Sequence, residues 1–308
     1  MNPIFIGSGV ALITPFGKDG KIDYGLFRKL IEFQILNKTD AIIVCGTTGE
    51  GSTLTTSERI ALFSAAVDQV SGRVPVIAGT GSNSTSFSQD LMEEAEKTGI
   101  DAHLSVSPYY NKASQAGIVQ HYYALADKAK KPIIIYNVPT RTGVNIKPET
   151  YEILCEHPNI RAVKEADSDI SKLQKSISLC GERLDFYCGN DDLTAASCFI
   201  GCKGVISVVS NVLPYYTHQM AIKSVNRETE CANRMQRDIL PLIEALFSDV
   251  NPIPVKYILG RLIKLNMTYR LPLCAPVREC LNKLNKTTEY YREYFEDELY
   301  ILNNFISD

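Results

Sequence analysis

The chain of 308 residues contains no tryptophan, four histidines and no apolar run near the roughly 20 residues of a membrane-spanning helix. His103, His121, His157 and His218 are scattered and never form H-x-x-x-H, so each reads as a structural histidine. The nine cysteines include no C-x-x-C pair. Cys198 and Cys202 are four apart, yet no histidine stands near to complete a metal site. The set therefore reads as reduced, mostly buried thiols of a cytoplasmic protein that holds no metal. An excess of basic charge is also missing. With 32 basic and 35 acidic residues the formal net charge is −3, and no basic run offers a surface to nucleic acid or to an anionic membrane. Met1–Val10 lacks the charged and then apolar layout of a signal peptide. No G-x-G-x-x-G opens a helix after the first strand, and Gly79-Thr80-Gly81 is a fragment of that pattern, which argues against an open dinucleotide-binding sheet.

What the chain does have is alternation of short apolar runs with helical spacing. Strands are predicted at Ser8–Thr14, Asp40–Cys45, Val74–Ala78, Ile100–Val106, Pro132–Tyr136, Ile160–Ala166, Leu184–Cys188 and Gly204–Val208. Between them, apolar residues at helical spacing predict helices over Asp23–Leu36, Thr56–Val70 (with Thr56 or Ser57 as cap), up to Thr98, Gly117–Ala129, Pro148–Cys155, Ile170–Leu179 and Leu193–Ile200. Eight strand–helix units in an α/β chain point to a closed (β/α)₈ TIM barrel over residues 1–226. Past Arg227 the strand-like runs stop. Three helical segments, 228–247, 252–265 and 276–305, form a C-terminal helical appendage over 227–308 that packs on the barrel. Its tyrosines, Tyr290, Tyr291, Tyr294 and Tyr300, read as packing or contact surface.

In such a barrel the chemistry lies on the loops beyond the C-terminal strand ends, and the polar clusters of this sequence fall there. Lys164 shares a strand face with Ala162. Alone it fits a solvated strand end as well as a desolvated amine, since burial disfavours an ammonium and frees the amine to act as a nucleophile. Its position beside the other clusters favours the second reading, a Schiff-base lysine. Gly46-Thr47-Thr48-Gly49-Glu50 fits a plain glycine-rich turn or a loop whose N–H groups and two hydroxyls bind a carboxylate. Tyr136 alternates with Ile134 and should point into the barrel, as a proton relay or as a tyrosine with one structural partner. Arg141, in a Pro/Thr/Gly loop, suits bidentate carboxylate recognition or plain solvation. Tyr109 and Tyr110 read as packing or interface. Asn190-Asp191-Asp192 reads as a helix cap with acidic first-turn residues.

Gly46–Glu50 (GTTGE), Pro108–Asn111 (PYYN), Tyr136–Gly143 (YNVPTRTG), Val163–Ala166 (VKEA) and Gly204–Val208 (GVISV) together resemble the dihydrodipicolinate synthase family. The resemblance covers nearly the whole chain. It implies a class I lyase that forms a Schiff base with pyruvate, condenses it with L-aspartate 4-semialdehyde to 4-hydroxy-tetrahydrodipicolinate in lysine and diaminopimelate biosynthesis, and uses no cofactor. Lys164 would form the Schiff base and Tyr136 would relay protons. Thr47 would link Tyr136 to a Tyr110 donated across a subunit interface. Thr47 and Thr48 would hold the pyruvate carboxylate, Arg141 would bind the semialdehyde, and Gly189 and Ile206 would line the pocket. The resemblance further implies a homo-oligomer, commonly a dimer of dimers. The related N-acetylneuraminate lyases and keto-deoxy sugar acid aldolases share GTTGE and the lysine strand, and Arg141 argues against them. A catalytically silent paralogue would not need the intact Lys164/Tyr136/Thr47/Tyr110 set. Two departures stand out. Asp167-Ser168-Asp169 follows the lysine strand where the family has a small residue and then Gly-Asn. Thr56, Arg59 and Phe87 occupy places where lysine-inhibited members carry histidines and an acid, although Asn83 and Tyr109 are kept, so feedback by lysine is expected to be weak or absent.

Overall fold

The computed structural model describes residues 2–296 and 298. Eight parallel strands close a barrel in sequence order. They are β1 (Gly7–Ala11), β2 (Ala41–Val44), β3 (Val76–Gly79), β4 (Ala102–Val106), β5 (Ile133–Asn137), β6 (Ile160–Glu165), β7 (Asp185–Cys188) and β8 (Gly204–Ser207). Closure is made by β8 on β1, with Gly204 opposite Gly7. Both faces of each strand are covered, which is why the sequence shows near-continuous apolar runs. Ile43, Ile77, Leu104, Ile134, Ala162 and Ile206 fill the interior. At the N-terminal end Phe5 stacks on Tyr187 with ring centroids 4.2 Å apart, and the Tyr187 hydroxyl donates to the Phe5 carbonyl at 2.8 Å, closing the floor.

The surrounding helices are α1 (Tyr24–Leu36), α2 (Thr56–Val70), α3 (Thr85–Glu96), α4 (Gln115–Lys128), the short α5 (Pro139–Thr142), α6 (Pro148–Leu154), α7 (Ile170–Cys180), α8 (Thr194–Ile200) and α9 (Pro214–Val225). The cap of α2 is Thr55, one residue before the expected pair, in a capping box with Glu58. The helix α9 was not marked out by apolar spacing; its start carries the proline signal of a first helical turn at Pro214. Strand β1 stops at Ala11 and not at Thr14: the Ile13 N–H leaves the ladder to donate to Asn211 Oδ1 at 3.0 Å, and the Thr14 hydroxyl donates to the Gly49 carbonyl at 2.7 Å.

Beyond the barrel come α10 (Thr229–Leu246), α11 (Ile253–Leu262) and α12 (Arg278–Tyr290). The buried face of α10, with Ile239, Leu242, Ile243 and Leu246, joins the same apolar cluster as Phe27, Leu30 and Ile31 of α1. Barrel and appendage thus share one core. After a turn at Tyr291, residues 292–296 are helical; the end of the predicted 276–305 helix, and Tyr300, lie outside the described residues. Tyr291 is buried and donates to the Asp238 carbonyl, whereas Tyr290 is exposed.

Candidate active site

The site begins with strand register. Tyr136 of β5, Lys164 of β6 and Tyr187 of β7 stand side by side. The pleat sends Ile134, Tyr136, Ala162 and Tyr187 inward, with Lys164 on the same face as Ala162. Lys164 is 5% exposed, and its Nζ lies 4.4 Å from the centroid of the Tyr136 ring. The next residue, Glu165, faces the other way. It accepts hydrogen bonds from Asn137 Nδ2 at 2.7 Å, the Tyr151 hydroxyl at 2.9 Å and the Asp167 N–H at 2.8 Å. Burial pushes its carboxyl above the ordinary range. Adjacent charges are thereby sorted to opposite faces, and the lysine alone of this pair faces the cavity.

The loop after β2 forms a second wall. It is bracketed by left-handed backbone at Cys45 (φ 57°) and Glu50 (φ 52°) and closed by the Gly51 N–H donating to the Gly46 carbonyl at 3.2 Å. Thr48 is 2% exposed, and its Oγ1 accepts from Asn251 Nδ2 at 2.9 Å. Glu50 is buried against Lys256 of α11, with Nζ to Oε1 at 2.5 Å. Arg141, in α5, reaches the Asn251 carbonyl at 3.5 Å, the outer limit of a hydrogen bond. Thr47, Thr48, Tyr136, Arg141, Lys164 and Gly189 all line one cavity of about 200 Å³. Gly189 has to be glycine: a Cβ there would come 2.7 Å from the Ala166 Cβ and 2.9 Å from the Glu165 carbonyl, to which its own N–H donates at 2.7 Å. Thr47, Tyr136 and Arg141 also border a second cavity of about 320 Å³, which holds Arg59 and Tyr109.

Six of the eight sequence-predicted site residues thus line this cavity, and Tyr110 and Ile206 do not. Tyr110 is 88% exposed, has φ 71°, and does not border the cavity of its own chain. Ile206 lies in the interior cluster with Tyr136, and the cavity wall at β8 is Val208 instead, because the register of alternation puts Ile206 a layer lower. Asn190-Asp191-Asp192 does not act as a simple helix cap. Asp191 is buried and accepts from the Ser207 hydroxyl and from the N–H groups of Val208 (2.9 Å) and Val209 (3.2 Å), tying β7 to the end of β8. Burial raises its carboxyl, against those bonds and the nearby Lys164 charge, which lower it. Sequence reasoning passed over Asn251 and Phe247, which line the cavity from the appendage. No local spacing pointed to them, although a polar Asn-Pro pair between two helices was a visible mark. Among the described residues no group of three or more His, Cys, Asp or Glu is placed to hold a metal ion. Nor is any helix of them long and apolar enough to cross a membrane.

The family model described as the dihydrodipicolinate synthetase family matches residues 4–290. The chain belongs to that family. A 4-hydroxy-tetrahydrodipicolinate synthase of Caldicellulosiruptor saccharolyticus is 48% identical over 254 residues, 82% of this chain and 86% of that protein. The 4-hydroxy-tetrahydrodipicolinate synthase 1 of Clostridium acetobutylicum is 44% identical over 288 residues, covering 94% of this chain and 98% of its own. The crystal structure of dihydrodipicolinate synthase from Aquifex aeolicus superimposes with a TM-score of 0.91 at 38% identity, over 95% of this chain and all of that one. Arg59 lines the second cavity beside Tyr109. Thr56 and Phe87 are exposed, and the Asn83 carbonyl accepts from Asn111 Nδ2 at 3.0 Å.

Proposed function

We propose that this protein is a 4-hydroxy-tetrahydrodipicolinate synthase, condensing pyruvate with L-aspartate 4-semialdehyde in lysine and diaminopimelate biosynthesis. The observation that carries the reading is Lys164, buried at a strand end with its Nζ facing a cavity of about 200 Å³ that also presents Thr47, Thr48 and Arg141. The Lys164 amine attacks the keto carbon of pyruvate, a C–N bond forms, and loss of water leaves an imine. Loss of a proton from the methyl carbon gives an enamine. That carbon attacks the aldehyde of the second substrate, whose oxygen takes up a proton. The amine of the semialdehyde then attacks the imine carbon, closes the ring and releases Lys164, with one water lost overall. The imine is the electron sink, so the reaction needs no cofactor. Tyr136, with its ring beside Nζ, carries the protons, and Thr47 and Thr48 hold the pyruvate carboxylate. Arg141, on the rim, takes the carboxylate of the semialdehyde. Tyr110 serves the site of a second copy: an 88% exposed tyrosine held in left-handed backbone, outside the lysine cavity of its own chain, supports a homo-oligomer, of which the dimer is the smallest form. Residues 1–226 carry the reaction and 227–308 support them. Borohydride reduction with pyruvate, followed by mass spectrometry, tests this: a pyruvyl adduct on Lys164 is expected, and its absence refutes the reading. Turnover with aspartate semialdehyde but not cleavage of N-acetylneuraminate is then expected of the active protein.

A further inference from the structure

Residues of the appendage reach the lysine cavity, and one of them does so in a way that the fold does not need. Asn251 lies between α10 and α11, is 7% exposed, and lines the cavity with Lys164 and Arg141. Its Nδ2 donates to Thr48 Oγ1 at 2.9 Å, across 203 residues of chain. Its backbone carbonyl accepts from Arg141 at 3.5 Å. Its Oδ1 is buried and has no partner among the described residues. A buried acceptor left unpaired is a cost to folding, and an apolar side chain of similar volume would remove it. The hydrogen bond, by contrast, does something specific to Thr48. A threonine hydroxyl has one proton. While Oγ1 accepts from the amide, that proton stays available as a donor to a ligand in the cavity. With the amide reversed, Oδ1 would take the proton and Thr48 could no longer donate to an anion.

We propose that Asn251 is a positioning residue that fixes the Thr48 hydroxyl as a hydrogen-bond donor to the carboxylate of the keto acid bound at Lys164. The proposal rests on the reading of Thr47 and Thr48 as carboxylate binders given above. It also explains how the appendage is held to the catalytic loop. Four residues into α11, Lys256 is locked to Glu50 at 2.5 Å and to the Thr268 carbonyl at 2.7 Å, so Asn251 and the loop move as one piece. The side-chain amide serves one substrate and the backbone carbonyl, through Arg141, the other.

The test is a double-mutant cycle on Asn251→Leu and Thr48→Val, read by steady-state kinetics with each substrate varied and by thermal melting. Asn251→Leu should raise the KM for pyruvate about 3- to 10-fold, the effect of one lost neutral hydrogen bond, with kcat nearly unchanged. The KM for the semialdehyde should hold, because the backbone carbonyl facing Arg141 remains. The melting temperature should stay level or rise as the unpaired Oδ1 is removed. In a Thr48→Val background the same change at Asn251 should add nothing to the pyruvate KM, since the two act through one hydrogen bond. An unchanged pyruvate KM, additive losses in the cycle, or a fall in stability that tracks the rise in KM would each overturn the proposal. Asn251→Ala supplies the same kinetic comparisons without the two apolar δ-methyl groups if the leucine variant does not fold. Borohydride trapping separates the two levels: no adduct in the unaltered protein removes the Schiff-base reading and this inference with it, whereas an adduct together with additive losses removes this inference alone.

Discussion

Replacing Lys256 with methionine should destabilise the protein more than any surface change, and the structure sets the size of the effect. Lys256 and Glu50 both have fully buried side chains, with Nζ 2.5 Å from Oε1. Nζ also donates to the Thr268 carbonyl at 2.7 Å and lies 4.5 Å from the Phe16 ring centroid and 5.2 Å from that of Tyr269. Burial lowers the Lys256 pKa, against the Glu50 charge that raises it. Methionine keeps the stem packed but strands the Glu50 carboxylate, whose other oxygen meets the Arg270 N–H at 3.5 Å. Breaking a buried pair from one side costs about 3–5 kcal/mol, because the remaining charge is left buried without its counter-charge. With roughly 2.1 cal/mol/K of unfolding entropy per residue over a chain of this length, that corresponds to a fall of about 5–8 °C in Tm. Lys256→Met combined with Glu50→Gln removes both charges and leaves an amide that Thr268 and Arg270 can still meet, so at least half of the loss should return. Scanning calorimetry of the two single variants and the double variant measures this. A shift of less than about 1 °C for Lys256→Met, or a double variant no better than the single, would refute the picture of a charge held in place by its partner.

Three further outcomes follow from the same contacts. The Arg270 guanidinium, helped by the Thr55 N–H, holds the Glu58 carboxyl at about 2 against an ordinary 4.5. A carboxylate with a lowered folded pKa stabilises the fold above pH 4.5 and loses that contribution as the pH falls toward 2, at most about 3 kcal/mol in all. Glu58→Gln should therefore lower Tm at pH 7 and have progressively less effect between pH 4.5 and 2; an equal gap at pH 7 and pH 2.5 counts against it. Arg141→Ala should reduce kcat/KM for aspartate semialdehyde by roughly 10- to 100-fold, as for a lost charge-assisted bond, while pyruvate trapping at Lys164 changes by less than about twofold; equal losses refute the assigned role. Lysine should inhibit weakly or not at all, because the Arg59 guanidinium lines the second cavity and repels an ammonium there. Inhibition well below millimolar lysine would show that reasoning to be wrong.

The barrel was legible because a parallel strand buried on both faces writes itself as a short apolar run, and eight such runs alternate with helical spacing. The cross-chain ties were not. Lys256 sits in an apolar helix, Ile253–Leu262, much as Lys164 sits in an apolar strand, so both carry the same sequence signal of a charge that must find a use. Only the strand lysine had a fold rule to say where it pointed. Glu50 lies 206 residues from Lys256, and nothing in the spacing joins them. Thr48 and Asn251 are linked over a similar distance. The reading was also one layer low at β8, taking Ile206 for Val208, because a loop end decides which residue of an alternating strand is topmost.

The acidic loop after the lysine strand shows how a charge beside a reactive amine can be kept from acting on it. Asp167 accepts from Asn145 Nδ2 at 2.7 Å and from Lys172 Nζ at 3.0 Å, and despite partial burial these bonds hold its carboxyl below the ordinary range. Asp169 caps α7, accepting from the Lys172 N–H at 3.1 Å and from the Ser171 hydroxyl at 2.7 Å. Both carboxylates are satisfied on the outer side of β6, where Glu165 already points, and Asp167 with Ser168 borders a neighbouring groove and not the lysine cavity. Asp191 is different: it is fully buried close enough for Lys164 to lower its pKa, yet its oxygens are taken by Ser207, Val208 and Val209. Its carboxylate oxygens are thus committed to the join of β7 and β8 and are turned to that join rather than offered to the lysine cavity.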